Sequence, residues 1–129
     1  MKRIFTLLIV SLVIFASCSD DERTKEEYKA WLEETYAELK GVSESVECVN
    51  IEEWSIVEVG QNACGHPLHY LPVHQSANTI LFQKQVEGYT KTSIRYVEKW
   101  YADVDCTQET PIAPKGIESV DGKAVLVYE

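Results

Sequence analysis

The chain has no apolar stretch long enough to cross a bilayer, no basic stripe and no motif of an established catalytic family. Crossing takes about twenty consecutive apolar residues, whereas the apolar, uncharged run 4–16 has thirteen. Twelve Lys/Arg against twenty-one Asp/Glu leave a formal net charge of −9, so the electrostatic footprint of a nucleic-acid binder is missing. Attraction to anionic lipid headgroups is equally unsupported by that balance. GxSxG, HExxH, phosphate-loop and dinucleotide fingerprints do not occur, and no CxxC pair suggests redox exchange. No cofactor is implied. Adjacent carboxylates such as Glu52-Glu53 point in different directions, so they do not form an acid–base pair. The expectation is a protein without enzymatic activity.

What is present begins at the N-terminus. Lys2 and Arg3 precede the uncharged stretch Ile4 to Ala16, the layout of a secretory signal segment. It ends in Phe15-Ala16-Ser17-Cys18, two small residues directly before a cysteine. This resembles a bacterial lipobox, with Phe where Leu or another aliphatic is commoner. The resemblance implies that diacylglycerol alkylates the Cys18 thiol, that the chain is cut before Cys18, and that the new amine is acylated. One acyl chain holds a protein only marginally, whereas two or three hold it firmly. Ser19-Asp20-Asp21-Glu22 then resembles the surface-export tag of Bacteroidetes-type lipoproteins. The expected organisation is a signal peptide over 1–17, a lipidated tether over 18–23 and a single small domain over 24–129. The expected location is the outer membrane, with the domain at the cell surface or, alternatively, facing the periplasm. Ordinary signal-peptidase cleavage without lipid is the competing reading.

Removing residues 1–17 takes away Lys2 and Arg3 but no acid, so the net charge moves from −9 to −11 over the remaining 112 residues. That length supports one small domain. Residues 20–53 carry twelve Asp/Glu against four Lys/Arg, which suits a solvated, membrane-proximal helix.

Thr24-Lys25-Glu26-Glu27 fits a capping box. Tyr28, Trp31, Leu32, Thr35 and Leu39 follow at helical spacing, so a helix is predicted over 25–40 with Gly41 as its stop. Trp54 to Val59 reads as a strand, and Tyr70 to His74 as an irregular one that Pro72 confines to an edge. Phe82, Val86, Tyr89, Ser93, Tyr96, Val97 and Trp100 mark a long amphipathic helix over 79–102, with Asn78 as N-cap. Ile117 to Val120 and Lys123 to Tyr128 flank Asp121-Gly122, a pair suited to a type I′ hairpin turn. The predicted fold class is α+β: two helices packed on a small antiparallel sheet that ends in a C-terminal hairpin.

Four cysteines are present. If Cys18 carries lipid, Cys48, Cys64 and Cys106 remain in a compartment that permits disulfides. Cys64 and Cys106 flank the long helix, and a bond between them would close a loop of about 43 residues, worth roughly 4 kcal/mol by chain entropy. Cys48 is then a free thiol or a small buried apolar group. Without lipid on Cys18, two disulfides are open.

Trp54, Ala63-Cys64-Gly65-His66-Pro67-Leu68-His69-Tyr70, the helix with Tyr89, Asp105-Cys106 and Asp121-Gly122-Lys123 resemble a group of small secreted and lipoprotein domains. That group shows a Trp, Ala-Cys-Gly-Gly-Pro-x-x-Tyr, a helix with a regular Tyr, Asp-Cys and a terminal Val-x-Cys-x-x-Gly-Lys. The resemblance spans about residues 48 to 128 and implies a disulfide-bearing extracytoplasmic domain. His66 stands where a second Gly is usual, and Ser119 where the last Cys is usual. The second departure leaves Cys48 without its partner, so the resemblance favours Cys64–Cys106 as the surviving bond.

His66, His69 and His74 lie close to Cys64 in sequence and raise a zinc reading. A loop gives both rings of His66-x-x-His69 no common helical face, and a disulfide would consume Cys64. The leading functional expectation is a membrane-anchored binding module with an envelope or surface protein as partner. A zinc-binding domain using His66, His69 and His74 is the alternative.

Overall fold

The computed structural model describes residues 23–129, so the expected signal peptide, Cys18 and most of the tether lie outside the described residues. Helix α1 spans Lys25–Ser43 and is capped by Thr24, whose hydroxyl accepts from the backbone N–H of Glu27 at 3.1 Å. The helix runs past Gly41, where the sequence predicted a stop. Val42 packs against the core, and Ser43 is buried with its hydroxyl donating to the carbonyl of Pro72. These tertiary contacts outweigh the cost of a helical glycine, about 1 kcal/mol.

A single 3₁₀ turn at Ile51–Glu53, capped by Asn50, leads into strand β1 at Trp54–Val59. Strand β2, His69–His74, pairs antiparallel with β1 in a register that sets Trp54 opposite His74 and Val59 opposite His69. Helix α2 spans Ile80–Trp100. Its cap is Thr79 rather than the neighbouring Asn78, with the Thr79 hydroxyl accepting from Phe82 N–H at 3.1 Å. Strands β3, Gly116–Val120, and β4, Lys123–Val127, close the fold as an antiparallel hairpin. Asp121 and Gly122 both take positive φ, 51° and 79°, as a type I′ turn requires.

The architecture is α+β, with the strands divided into two separate two-stranded ladders, β1–β2 and β3–β4. Helices α1 and α2 are antiparallel. Tyr28 near the start of α1 meets Trp100 at the end of α2 with ring centroids 5.3 Å apart, while Tyr36 further along meets Tyr89 at 6.2 Å. The β1–β2 ladder has one face turned to the helices. Val57, Val59, Leu71 and Val73 lie there, packed with Leu32 and Leu39 of α1 and Phe82 and Tyr89 of α2. The other face carries Trp54 and Ile56, which share a shallow cavity with Gly116 and Ile117 of the C-terminal hairpin. Both faces of β1 are thus partly covered, which explains why Trp54 and Val59 are both buried despite opposite parity.

Gly60 sits where the first ladder meets α2. Its φ is +76°, and a Cβ there would lie 2.8 Å from Cε1 of Tyr89. Gly41, in contrast, is helical, and a Cβ at that position would have nothing within 4 Å. Gly60→Ala should therefore destabilise the domain by about 1–3 kcal/mol, and Gly41→Ala should stabilise it by about 0.5–1 kcal/mol. Urea unfolding of the two variants checks both signs.

Candidate functional site

The segment after Gly60 is built by side chains of α2. Thr90 Oγ1 accepts from Gly60 N–H at 3.0 Å, and Ser93 Oγ accepts from Gln61 N–H at 2.9 Å. Ser93 is almost fully buried and donates in turn to the carbonyl of Thr90. These residues occupy successive turns of one helical face, so α2 acts as a template for a loop that cannot form ladder bonds.

The loop then folds around Asn62. Its side-chain oxygen accepts from the N–H groups of Cys64 at 2.9 Å and His66 at 3.0 Å. Its own N–H donates to the His66 carbonyl at 2.8 Å. The Asn62 amide nitrogen donates to Glu109 Oε1 at 2.6 Å, which ties the loop to the segment after α2. His66 Nδ1 is 3.2 Å from the same oxygen, near enough for attraction when the ring is protonated, although the two do not align as a hydrogen bond. Beside this clasp Cys64 and Cys106 form a disulfide, with Cα atoms 5.6 Å apart. The bond joins the chain on either side of α2.

Cys48 is the free cysteine among the described residues, and it is buried. Its N–H donates to the carbonyl of Gly122 at 2.8 Å, and its carbonyl accepts from Ser119 Oγ at 2.7 Å. The position of the cysteine that the sequence resemblance would place at 119 is therefore next to Cys48.

The three histidines do not converge. His66 leans on Glu109 in the disulfide loop. His69 and His74 sit at opposite ends of β2 and on opposite faces of the ladder. The His69 ring stacks on Tyr36 of α1 with centroids 3.9 Å apart. His74 bonds to Glu53 Oε2 at 2.8 Å and to Ser76 Oγ at 2.7 Å, with its ring edge-on to Trp54. Each histidine is thus held by a different neighbour. Among the described residues, Cys64, Cys106 and Glu109 are the group whose ligand atoms lie within reach of one ion, and both sulfurs are committed to the disulfide.

Burial shapes the titration of the stack. It lowers the His69 imidazole below its ordinary value. It also raises the Tyr36 phenol, helped by Glu44 and Tyr128, and pushes the Tyr89 phenol up to about 12, helped by Tyr36. All three groups are neutral near neutrality, as stacked rings in a core require.

A cavity of about 560 Å³ opens between the end of α1 and the C-terminal hairpin. Val46, Ala124 and Val125 supply apolar lining, while Glu44, Glu47, Asp121 and Lys123 supply charge. Glu47 lies against the hairpin turn, its carboxylate 3.2 Å from where a Cβ on Gly122 would be. Sequence reasoning missed both this cavity and the role of Asn62. The residue type of Asn62, two before Cys64 in a turn-rich stretch, was the signal that could have found the second.

The sequence matches no protein-family model, and neither the curated proteins nor the solved structures give a significant match to it.

Ser119→Cys should form a second disulfide with Cys48, adding about 2–4 kcal/mol of stability; non-reducing peptide mapping that finds both thiols free contradicts it. The lowered imidazole of His69 favours folding above the unfolded histidine value of about 6.5 and loses that contribution as pH falls below it. The urea midpoint should therefore drop between about pH 7.5 and 5, and drop less in His69→Phe. Equal drops in the two proteins would show that His69 does not carry the acid sensitivity.

Proposed function

We propose that this protein is a lipid-anchored, non-enzymatic binding module of the bacterial cell envelope, held at the outer membrane through Cys18. The observation that carries the reading is the apolar, uncharged run 4–16 leading directly into Ser17-Cys18, with an acidic stretch at 20–22. The Cys64–Cys106 disulfide supports it, because such bonds persist in oxidising compartments. Among the described residues no helix is long and apolar enough to cross a membrane. The Ser19-Asp20-Asp21-Glu22 stretch favours the cell surface, with the periplasmic face as the alternative.

The binding role rests on the open cavity between α1 and the C-terminal hairpin. It joins apolar lining to three carboxylates and one ammonium, a combination suited to an apolar anchor flanked by basic groups on an envelope or surface protein. Nothing in the geometry favours the zinc reading, since its three histidines are spread over separate partners.

Replacing Cys18 tests the anchor. Cys18→Ala should abolish acylation and release the protein from the membrane fraction, with folding unchanged because the residue precedes the domain. A Cys18→Ala protein that still sediments with membranes would contradict the reading.

A further inference from the structure

The end of the helix pair nearest the tether has a composition unlike the rest of the domain. Because α1 and α2 are antiparallel, the start of α1 and the end of α2 share that end. Four aromatic rings meet there: Tyr28, Tyr96, Trp100 and Tyr101, with centroids 5.3 to 6.5 Å apart. Tyr28 is buried beneath the others, whereas Tyr101 is exposed and Trp100 half-exposed. Ammonium groups border the rings, with Lys25 Nζ 4.7 Å from the Tyr101 centroid and Lys99 Nζ 5.2 Å from that of Trp100. Trp, Tyr and Lys together are the side chains that gather at a membrane–water interface, where an amphipathic ring or a long stem bridges apolar and wet layers.

The chain length fixes which end can reach a bilayer. Four residues lie between Cys18 and Arg23, so the span from one to the other is at most about 18 Å when fully extended. Helix α2 has 21 residues and so runs about 31 Å away from that end. An anchor at Cys18 therefore keeps the aromatic end at the headgroup layer and holds the opposite end, with the cavity between α1 and the hairpin, away from it. Such a short tether raises the local concentration of the interface around the rings to the millimolar range, so a weak contact suffices. Charge does not drive it. Arg23, Lys25, Lys29, Arg95 and Lys99 at this end are set against Glu26, Glu27 and Glu98, and Asp20, Asp21 and Glu22 lie in the adjoining tether, so the charges next to the anchor are nearly balanced.

We infer that the aromatic end formed by Trp100, Tyr101 and Lys25 rests in the headgroup–acyl interface of the lipid bilayer that holds the anchor and orients the domain with its cavity outward. The inference depends on the proposed lipid anchor at Cys18. It adds a second membrane contact and a fixed orientation that an anchor alone does not supply.

The test uses the protein purified from membranes and reconstituted in phosphatidylcholine vesicles, with or without bromine on the upper acyl chains. Mass spectrometry first reports whether acyl groups are attached. In the acylated protein, bromine should dim the Trp100 component, taken as the difference between wild type and Trp100→Phe, roughly twofold, as for a ring at the interface. Trp31→Phe should leave the quenching unchanged, and Tyr101→Ser should reduce it. An acylated, vesicle-bound protein whose Trp100 emission ignores bromine overturns the inference and leaves the anchor standing. Unquenched Trp100 in a protein that is dimeric on the vesicles assigns the rings to a second copy and also overturns it. A chain without acyl groups removes the anchor and the inference together.

Discussion

Tyr89 is the side chain on which both helices and the first strand pair meet. Its ring lies 6.2 Å from those of Tyr36 and His69, and its edge occupies the space that a side chain on Gly60 would need. The positive φ of Gly60 turns the chain off β1 along the same helix, where Thr90 and Ser93 take up the next two backbone N–H groups. Asn62 then winds the loop so that Cys64 faces Cys106. The disulfide is thus the last link of a chain of contacts that begins with one buried ring.

This arrangement explains how a domain with a small core is held together. Seven buried residues form the central cluster, few for a chain that must fix two helices and four strands. The disulfide compensates by restricting the unfolded chain on either side of α2. The C-terminal hairpin adds no ladder bonds to the first strand pair. It is tied instead by Cys48, whose backbone bonds to Gly122 and Ser119. A covalent attachment at Cys106, reinforced by the Asn62 bond to Glu109, and a hydrogen-bonded one at Ser119 therefore secure the chain after α2. The cavity beside the hairpin borders the second of these, where Glu47 and Gly122 line it.

Both helices could be read from periodicity because burial of one face is a strong, regular signal. The Thr24 cap and the Asp121-Gly122 turn were legible because local chemistry decides them. Gly41 and Asn78 misled where tertiary contacts, or a better-placed neighbour, overrode a local preference. The division into two ladders was invisible, since alternation shows which face of a strand is covered and not which strand lies beside it. At the candidate site, the Cys64–Cys106 pairing agreed with the expectation. Asn62, Thr90 and Ser93 did not stand out, because polar residues that satisfy backbone groups carry no sequence period. The histidine cluster existed only in sequence, since strand parity sent His69 and His74 to opposite faces.

The central claim is that this compact domain works at the end of a lipid-bearing cysteine, with the disulfide and the cavity on the extracytoplasmic side. The most direct measurement is the mass of the N-terminal peptide of the protein extracted from cell membranes. The expected result is a peptide that begins at Cys18 and carries diacylglycerol on its sulfur and an acyl chain on its amine. A peptide that begins at any other residue, or a Cys18 of unmodified mass, would contradict it.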